Sequence, residues 1–358
     1  MIYYTVAALL LCAAALPRGP ARLAAARYAG ILLLAFGGLR FEVGTDWDSY
    51  LDVFEAVGQG ENFNDLREEA GFLTLVVIFQ FFSKSYPAFV FSVFVLSFSV
   101  KLYAICRFKA DIVVALIIYF CSVFLIYDVN GLRQGLALGF VLCAGWYAVQ
   151  SRIYSFIVSM ALAISVHTVA LVALPIYWLA KVNWFNRQSI HLQYGIAAGM
   201  VIFAYALSLL LVSTDISAYL DFVNLTSRYN HYVDNFDTKF SPLGLGSLQR
   251  IFVLGVALYM QNRLACPLRI TALLVNTYLV ATFIFFALSF NIEFMARVSF
   301  YYKVFDIILI AMISTTAKSR AENALFITLL GVLLFGSIFQ LLSIPDGGLS
   351  PYKFQLLR

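Results

Sequence analysis

The chain has 358 residues, 62% hydrophobic and 12% charged, with a mean hydropathy of +0.88. A soluble domain carries about a quarter charged residues, so the surplus apolar surface must face lipid, which excludes a set of water-soluble domains. The net charge of +5 is carried by no basic, aromatic-interleaved stretch, which argues against nucleic acid as a partner.

Apolar residues fall in blocks with no ten-residue alternation, so an outer-membrane barrel is excluded and a single all-α, polytopic bundle over 1–358 is expected. Runs of spanning length lie at about 3–16, 23–39, 86–106, 110–128, 131–150, 190–213, 248–264, 268–290, 295–316 and 321–343. The stretch 152–181 is interrupted near His167 and predicts two short helices meeting there. The run 71–83 is too short to cross unaided and predicts an interfacial or re-entrant helix. About twelve helices result. The first run lacks a basic n-region, and its arginines follow it, so it is read as a span and not as a signal peptide.

Arg18, Arg22 and Arg27 place the loop after that run in the cytoplasm by the positive-inside rule. Continuing the alternation assigns 17–28, 101–111, 150–153, 181–189, 262–269 and 316–322 to the inside. Those loops hold 13 Lys/Arg against two acids, Asp111 and Glu322. Two long connections, about 40–70 and 214–247, then lie outside. Long connections in a compact bundle tend to carry function.

The first outer loop reads GGLRFEVGTDWDSY from Gly37 to Tyr50, and from Thr45 onward its spacing predicts an amphipathic surface helix with Thr45 or Asp46 as N-cap. Asp48, Asp52 and Glu55 read as its solvated face. Asp46 follows Gly44, a residue that lets the backbone turn beside a ligand, so capping and catalysis both stay open for it. The loop ends EEAGF, which puts Glu69 where the chain re-enters the membrane, as a cap or as a group acting on a lipid-linked substrate.

In YDVNGLRQGLALG, Tyr127 to Gly139, Arg133 and Gln134 occupy the first turn of an apolar helix. Unpaired amides and a guanidinium there make an anion site, and an arginine near lipid depth signals function or a paired carboxylate, for which Asp128 is the candidate. The planar fork of arginine suits phosphate. His167 is either a hydrogen-bonded structural residue or a functional one, a general base or a donor to a diphosphate. Arg228 and Tyr229 in SRYNHYVDN suit contacts to sugars or amphipathic packing against the bundle, while Arg297 and Tyr301 in NIEFMARVSFYYK suit a diphosphate or a pairing of Arg297 with Glu293. With Arg40, these residues form the predicted site. The three histidines lack metal-ligand spacing, so no metal is expected. The five cysteines form no CxxC or Cys/His pattern and read as buried thiols.

Arginines at outer helix mouths, carboxylates in an outer loop and the absence of Walker or Rossmann glycine patterns suggest a substrate that brings its own diphosphate leaving group, with no nucleotide cofactor. The order of GLR-x-x-VGTD-x-x-SY (Gly38 to Tyr50), EEAGF in place of the usual EPGF, GLRQG (Gly131 to Gly135) and a later histidine resembles the EpsG-type branch of the Wzy polysaccharide polymerases. The resemblance implies a GT-C-like membrane glycosyltransferase at the periplasmic face of the bacterial inner membrane. It would transfer a growing undecaprenyl-diphosphate-linked glycan onto a new repeat unit, without metal and with a Wzz-type chain-length co-polymerase as partner. An O-antigen ligase, a flippase for the same lipid-linked oligosaccharide and a scaffold are the competing readings.

Overall fold

The computed structural model describes the chain apart from residues 67, 214–241, 290–291, 318, 344–348, 350 and 355–358. Helix makes up 79% of it, and the described residues form no β-strand beyond an isolated bridge between Arg40 and Phe354. They group into two compact units, Met1–Leu174 with Asp306–Arg358, and Pro175–Phe305.

The first unit starts with α1 (Ile2–Ala15), α2 (Pro20–Gly38), the amphipathic α3 (Trp47–Gly58), α4 (Ala70–Phe82) and α5 (Tyr86–Phe108). Next come α6 (Ile112–Tyr119), which continues as π-helix through Phe120–Asp128, then α7 (Leu132–Val149) and α8 (Ile153–Val166). After the second unit the chain returns as α14 (Asp306–Ser314) and α15 (Arg320–Leu342). The second unit holds α9 (Ile176–Leu179), α10 (Ile190–Ser213), α11 (Leu245–Met260), α12 (Leu268–Ala287) and α13 (Ile292–Lys303).

Six described helices (α2, α5, α7, α10, α12 and α15) are long and apolar enough to cross a membrane. At about 1.5 Å per residue, the 23 residues of α5 reach roughly 34 Å, the thickness of a bilayer core. The other apolar helices are shorter, so length and composition support a polytopic protein with six long spans and leave the expected count of twelve unsupported.

Helix boundaries follow the sequence closely, and three departures have physical causes. The run 110–128 is one continuous helix, but its second half widens to π geometry, which turns Asp128 into the core at 0% exposure. The run 295–316 divides at Val304–Phe305 into α13 and α14. Lys101, assigned to a cytoplasmic loop, lies inside α5 at 1% exposure. Its charge is met there by Asp128, so it is not an inside-loop marker.

Unit 1 has two distinct ends. At one, Arg22 lies 2.9 Å from the Asp111 carboxylate, Arg18 lies 3.8 Å from it, and Arg18 also donates to the Ser314 carbonyl at 2.7 Å. Two of the loops predicted to share the inside, 17–28 and 101–111, therefore meet beside the end of α14. Helix α2 runs from Arg22 away to Gly38, and α5 runs from Tyr86 toward Asp111. The opposite end is closed by α3, whose Trp47, Tyr50, Val53 and Phe54 pack on Phe72, Val76, Tyr86 and Phe89. Gln80 donates to the Phe54 carbonyl at 2.5 Å and Tyr86 to that of Trp47 at 2.8 Å, fastening α3 across the bundle.

Candidate functional site: an arginine–glutamate pair at one end of the bundle

Four segments of unit 1 build this site. Glu69 stands at the N-cap position of α4, yet its side chain makes no cap. It turns instead to α7, where Arg133 Nη1 donates to its Oε2 at 2.5 Å. Its Oε1 accepts from the Thr168 backbone N–H at 3.0 Å and from the Thr168 hydroxyl at 3.1 Å. Glu68 lies 3.9 Å from Arg133 Nη2. The carboxylate predicted to pair with Arg133 was Asp128, and the structure corrects this: Glu69 and Glu68 take that place, because Asp128 faces the opposite side of α7 toward Lys101.

The guanidinium of Arg133 rests against aromatic rings, 5.6 Å from the centre of Tyr50 and 5.8 Å from that of Phe72. Its Nε is buried without a hydrogen-bond partner. The Arg133 and Glu69 side chains keep 21% and 10% exposure, so the pair is accessible from the end of the bundle. Burial works to raise the Glu69 pKa, but Arg133, the Thr168 N–H and the charge of His167 outweigh it and hold Glu69 below the ordinary carboxylate range. It is an anion at neutral pH. Burial pushes the Tyr50 hydroxyl up, against the opposing pull of Arg133, so Tyr50 meets the site as a neutral phenol.

His167 ends α8 as its C-cap and is 9% exposed. Its neighbour Thr168 makes the contact with Glu69 that the sequence does not advertise. Asp46 is half-buried at the N-cap of α3 and accepts from the Thr45 hydroxyl at 3.2 Å. It stands close enough to Tyr50 to affect its charge. The turn before it has Gly44 at φ +112°, where a Cβ would lie 2.5 Å from the Val129 carbonyl. Asn130 Oδ1 accepts from the Thr45 N–H at 3.2 Å, so the Asp46 turn is fastened to the segment that leads into Arg133.

The other predicted residues sit apart. Gln134 is 5% exposed within the first turn of α7. Arg40 is 3% exposed and donates to the Gly37 carbonyl at 2.8 Å. It is covered by the C-terminal segment, whose Lys353 carbonyl accepts from the Phe41 N–H. In unit 2, Arg297 is half-buried and Tyr301 fully buried on α13. Arg228 and Tyr229 lie outside the described residues. Also in unit 2, Arg250, a cation that no sequence motif marks, has its guanidinium 4.0 Å from the centre of the Phe285 ring. Among the described residues no group of three His, Cys, Asp or Glu is placed to hold a metal ion.

An open apolar groove of about 580 Å³ runs between α5, α7 and α8, lined among others by Val100, Tyr103, Phe140, Cys143 and Leu162. Phe140 lies two helical turns below Arg133 on α7.

These features define a polytopic helical membrane protein that offers a cation, a carboxylate and tyrosine at one end of its bundle. Residues 25–354 match the EpsG family, and the chain belongs to it. EpsG is a family of Wzy-like polymerases, and membership identifies the chain with polysaccharide polymerisation. No curated protein and no solved structure matches the chain.

Proposed function

We propose that this protein polymerises a glycan carried on a polyprenyl diphosphate, as a Wzy-type enzyme of the bacterial inner membrane with its site at the periplasmic face. The observation that carries this reading is the Arg133–Glu69 pair. The two residues come from segments 64 positions apart and meet, half-open, at the end of the bundle away from the Arg22–Asp111 cluster. Family membership supplies the reaction class, and this pair supplies chemistry that suits it.

Arg133 binds the diphosphate of the donor through the exposed part of its planar fork. The prenyl tail follows the groove between α5, α7 and α8. Once phosphate takes Arg133, Glu69 loses the partner that depresses its pKa and becomes a stronger base. It then accepts the proton of the acceptor sugar hydroxyl as that oxygen attacks the anomeric carbon. The anomeric C–O bond breaks with inversion, and the electron pair leaves on the diphosphate. Arg133 is worth most at this point, where negative charge develops. Tyr50 faces the sugar with Asp46 beside it, and His167 lies close enough to the carboxylate for its charge to act on it. The product is an O-antigen, capsule or exopolysaccharide chain whose length a Wzz-type partner sets.

The test is the polymer profile of cells that carry Glu69→Gln in place of the wild-type protein. Single-unit caps in place of a ladder support the proposal. Uncapped lipid-linked polymer would assign the protein to the ligase reaction, and an unchanged ladder would remove Glu69 from the mechanism.

A further inference from the structure

The most heavily buried charges in unit 1 are not at the open site. Lys101 is 1% exposed and Asp128 0%, and their charged groups lie 2.8 Å apart. Lys101 Nζ also donates to Ser97 Oγ at 2.5 Å and to the Gly135 carbonyl at 2.6 Å. Asp128 Oδ1 accepts from Ser97 at 2.6 Å, and Oδ2 accepts from the Tyr119 hydroxyl at 2.6 Å. Every contact of this pair is satisfied inside the protein, across α5, the π-helical turn and the first turns of α7.

A buried ion pair is a poor source of stability, since two desolvated charges return little more than apolar residues of similar volume would. Its best-attested use is to fix register, and the register here is that of α7. Gly135 has no Cβ, and one placed there would lie 2.4 Å from Asp128 Oδ1. The carboxylate therefore rests directly on the α7 backbone. Arg133 is two residues earlier, about 200° around the helix. The network grips one face of the first turns of α7 while Arg133 leaves from the other. The π-helix matters because the inserted residue aims Asp128 at this contact, a recurrent use of π geometry at functional sites.

We propose that Lys101 and Asp128 are positioning residues that lock the mouth of α7 so that Arg133 meets Glu69. The inference rests on the Arg133–Glu69 pair as the site, but its test does not rest on the polymerase reading. Variants free of the five native cysteines carry Glu69→Cys with Arg133→Cys, and the yield of cross-link with a short bifunctional thiol reagent is measured. The yield is expected to fall at least fivefold when Lys101→Met is added and to recover with Lys101→Arg. An unchanged yield in Lys101→Met overturns the proposal.

Because Lys101→Met alone strands a buried carboxylate and risks misfolding, Lys101→Met with Asp128→Leu is tested alongside it. This pair is expected to fold, and an unchanged cross-link in it also overturns the proposal. A second readout uses initial rates with a polyprenyl-diphosphate donor. Lys101→Met should cost tenfold or more with Arg133 present and under twofold in an Arg133→Ala background. Equal losses in both backgrounds would mean a general structural role and contradict the proposal. Loss of the cross-link in a protein whose parent forms no polymer would uphold the positioning role and refute only the polymerase reading.

Discussion

Arg133 and Glu69 pair at 2.5 Å while Lys101 and Asp128, on the far side of the same helix turn, pair at 2.8 Å. The first pair is open at the end of the bundle and the second is sealed within it. Helix α7 is thus held by an arginine–glutamate contact that, on the proposed reading, substrate replaces, and by a lysine–aspartate contact closed off from the surface.

Replacing Arg133 separates charge from geometry. Arg133→Ala is expected to lower the polymerisation rate about a hundredfold or more, the usual cost of removing one donor that stabilises developing charge. Arg133→Lys keeps the charge but not the planar fork, so it should recover only a small part of the rate. Initial rates with a lipid-diphosphate donor check both, and full activity in Arg133→Lys would show that a point charge suffices.

Glu69 predicts a pH signature. Its folded pKa lies below the ordinary value of 4.5, so its contacts contribute stability above that value and lose it as pH falls through the lower, folded pKa. Thermal unfolding of wild-type protein and Glu69→Gln in detergent should therefore differ at pH 7, with the gap narrowing as pH falls below the ordinary carboxylate value toward the lower, folded pKa. A gap that widens on acidification would contradict the assignment.

Much of this arrangement was legible in the sequence, and the gaps are instructive. The helical spacing of α3, the break at His167 and the start of α7 all follow from local pattern, because apolar periodicity and special turn residues act over a few positions. Glu69 and Arg133 were each identifiable as groups out of place at a lipid boundary. Their pairing was not, since it depends on how α4, α7 and α8 pack, and the nearest acid in sequence, Asp128, was the obvious wrong partner. Lys101 looks like a loop charge in the sequence, because positive-inside counting has no way to see a buried counter-ion. Thr168 and Asn130 gave no signal, being ordinary polar residues whose roles exist only in three dimensions.

Close backbone approach makes two glycines sensitive. In Gly135→Ala the new methyl would meet Asp128 Oδ1 at 2.4 Å, and in Gly71→Ala it would meet the Ser165 carbonyl at 2.5 Å. Overpacking of this kind typically costs about 1–3 kcal/mol. Gly195→Ala, within α10 and meeting nothing within 4 Å, serves as the control and should not destabilise, since alanine is favoured over glycine in a helix interior by up to about 1 kcal/mol. Unfolding midpoints of the three variants in one detergent give the comparison.

The Asp46 turn is fastened by Asn130 and by the left-handed backbone of Gly44. Asn130→Ala removes the acceptor for the Thr45 N–H at 3.2 Å and should loosen Asp46 while leaving α3 docked through Gln80 and Tyr86. The expected result is a several-fold rise in KM for the acceptor with a melting temperature within a few degrees of wild type, a net hydrogen bond being worth about 1 kcal/mol. A large loss of stability with unchanged KM would assign the turn a purely structural role.

The most direct test of the account is reconstitution of the purified protein in lipid with one polyprenyl-diphosphate-linked repeat unit, followed by separation of the products by length. Wild-type protein is predicted to give a ladder of increasing glycan length with release of polyprenyl diphosphate, and Arg133→Ala and Glu69→Gln to give at most traces of it. A ladder of normal length and rate from either variant would contradict the assignment of the Arg133–Glu69 pair as the catalytic centre.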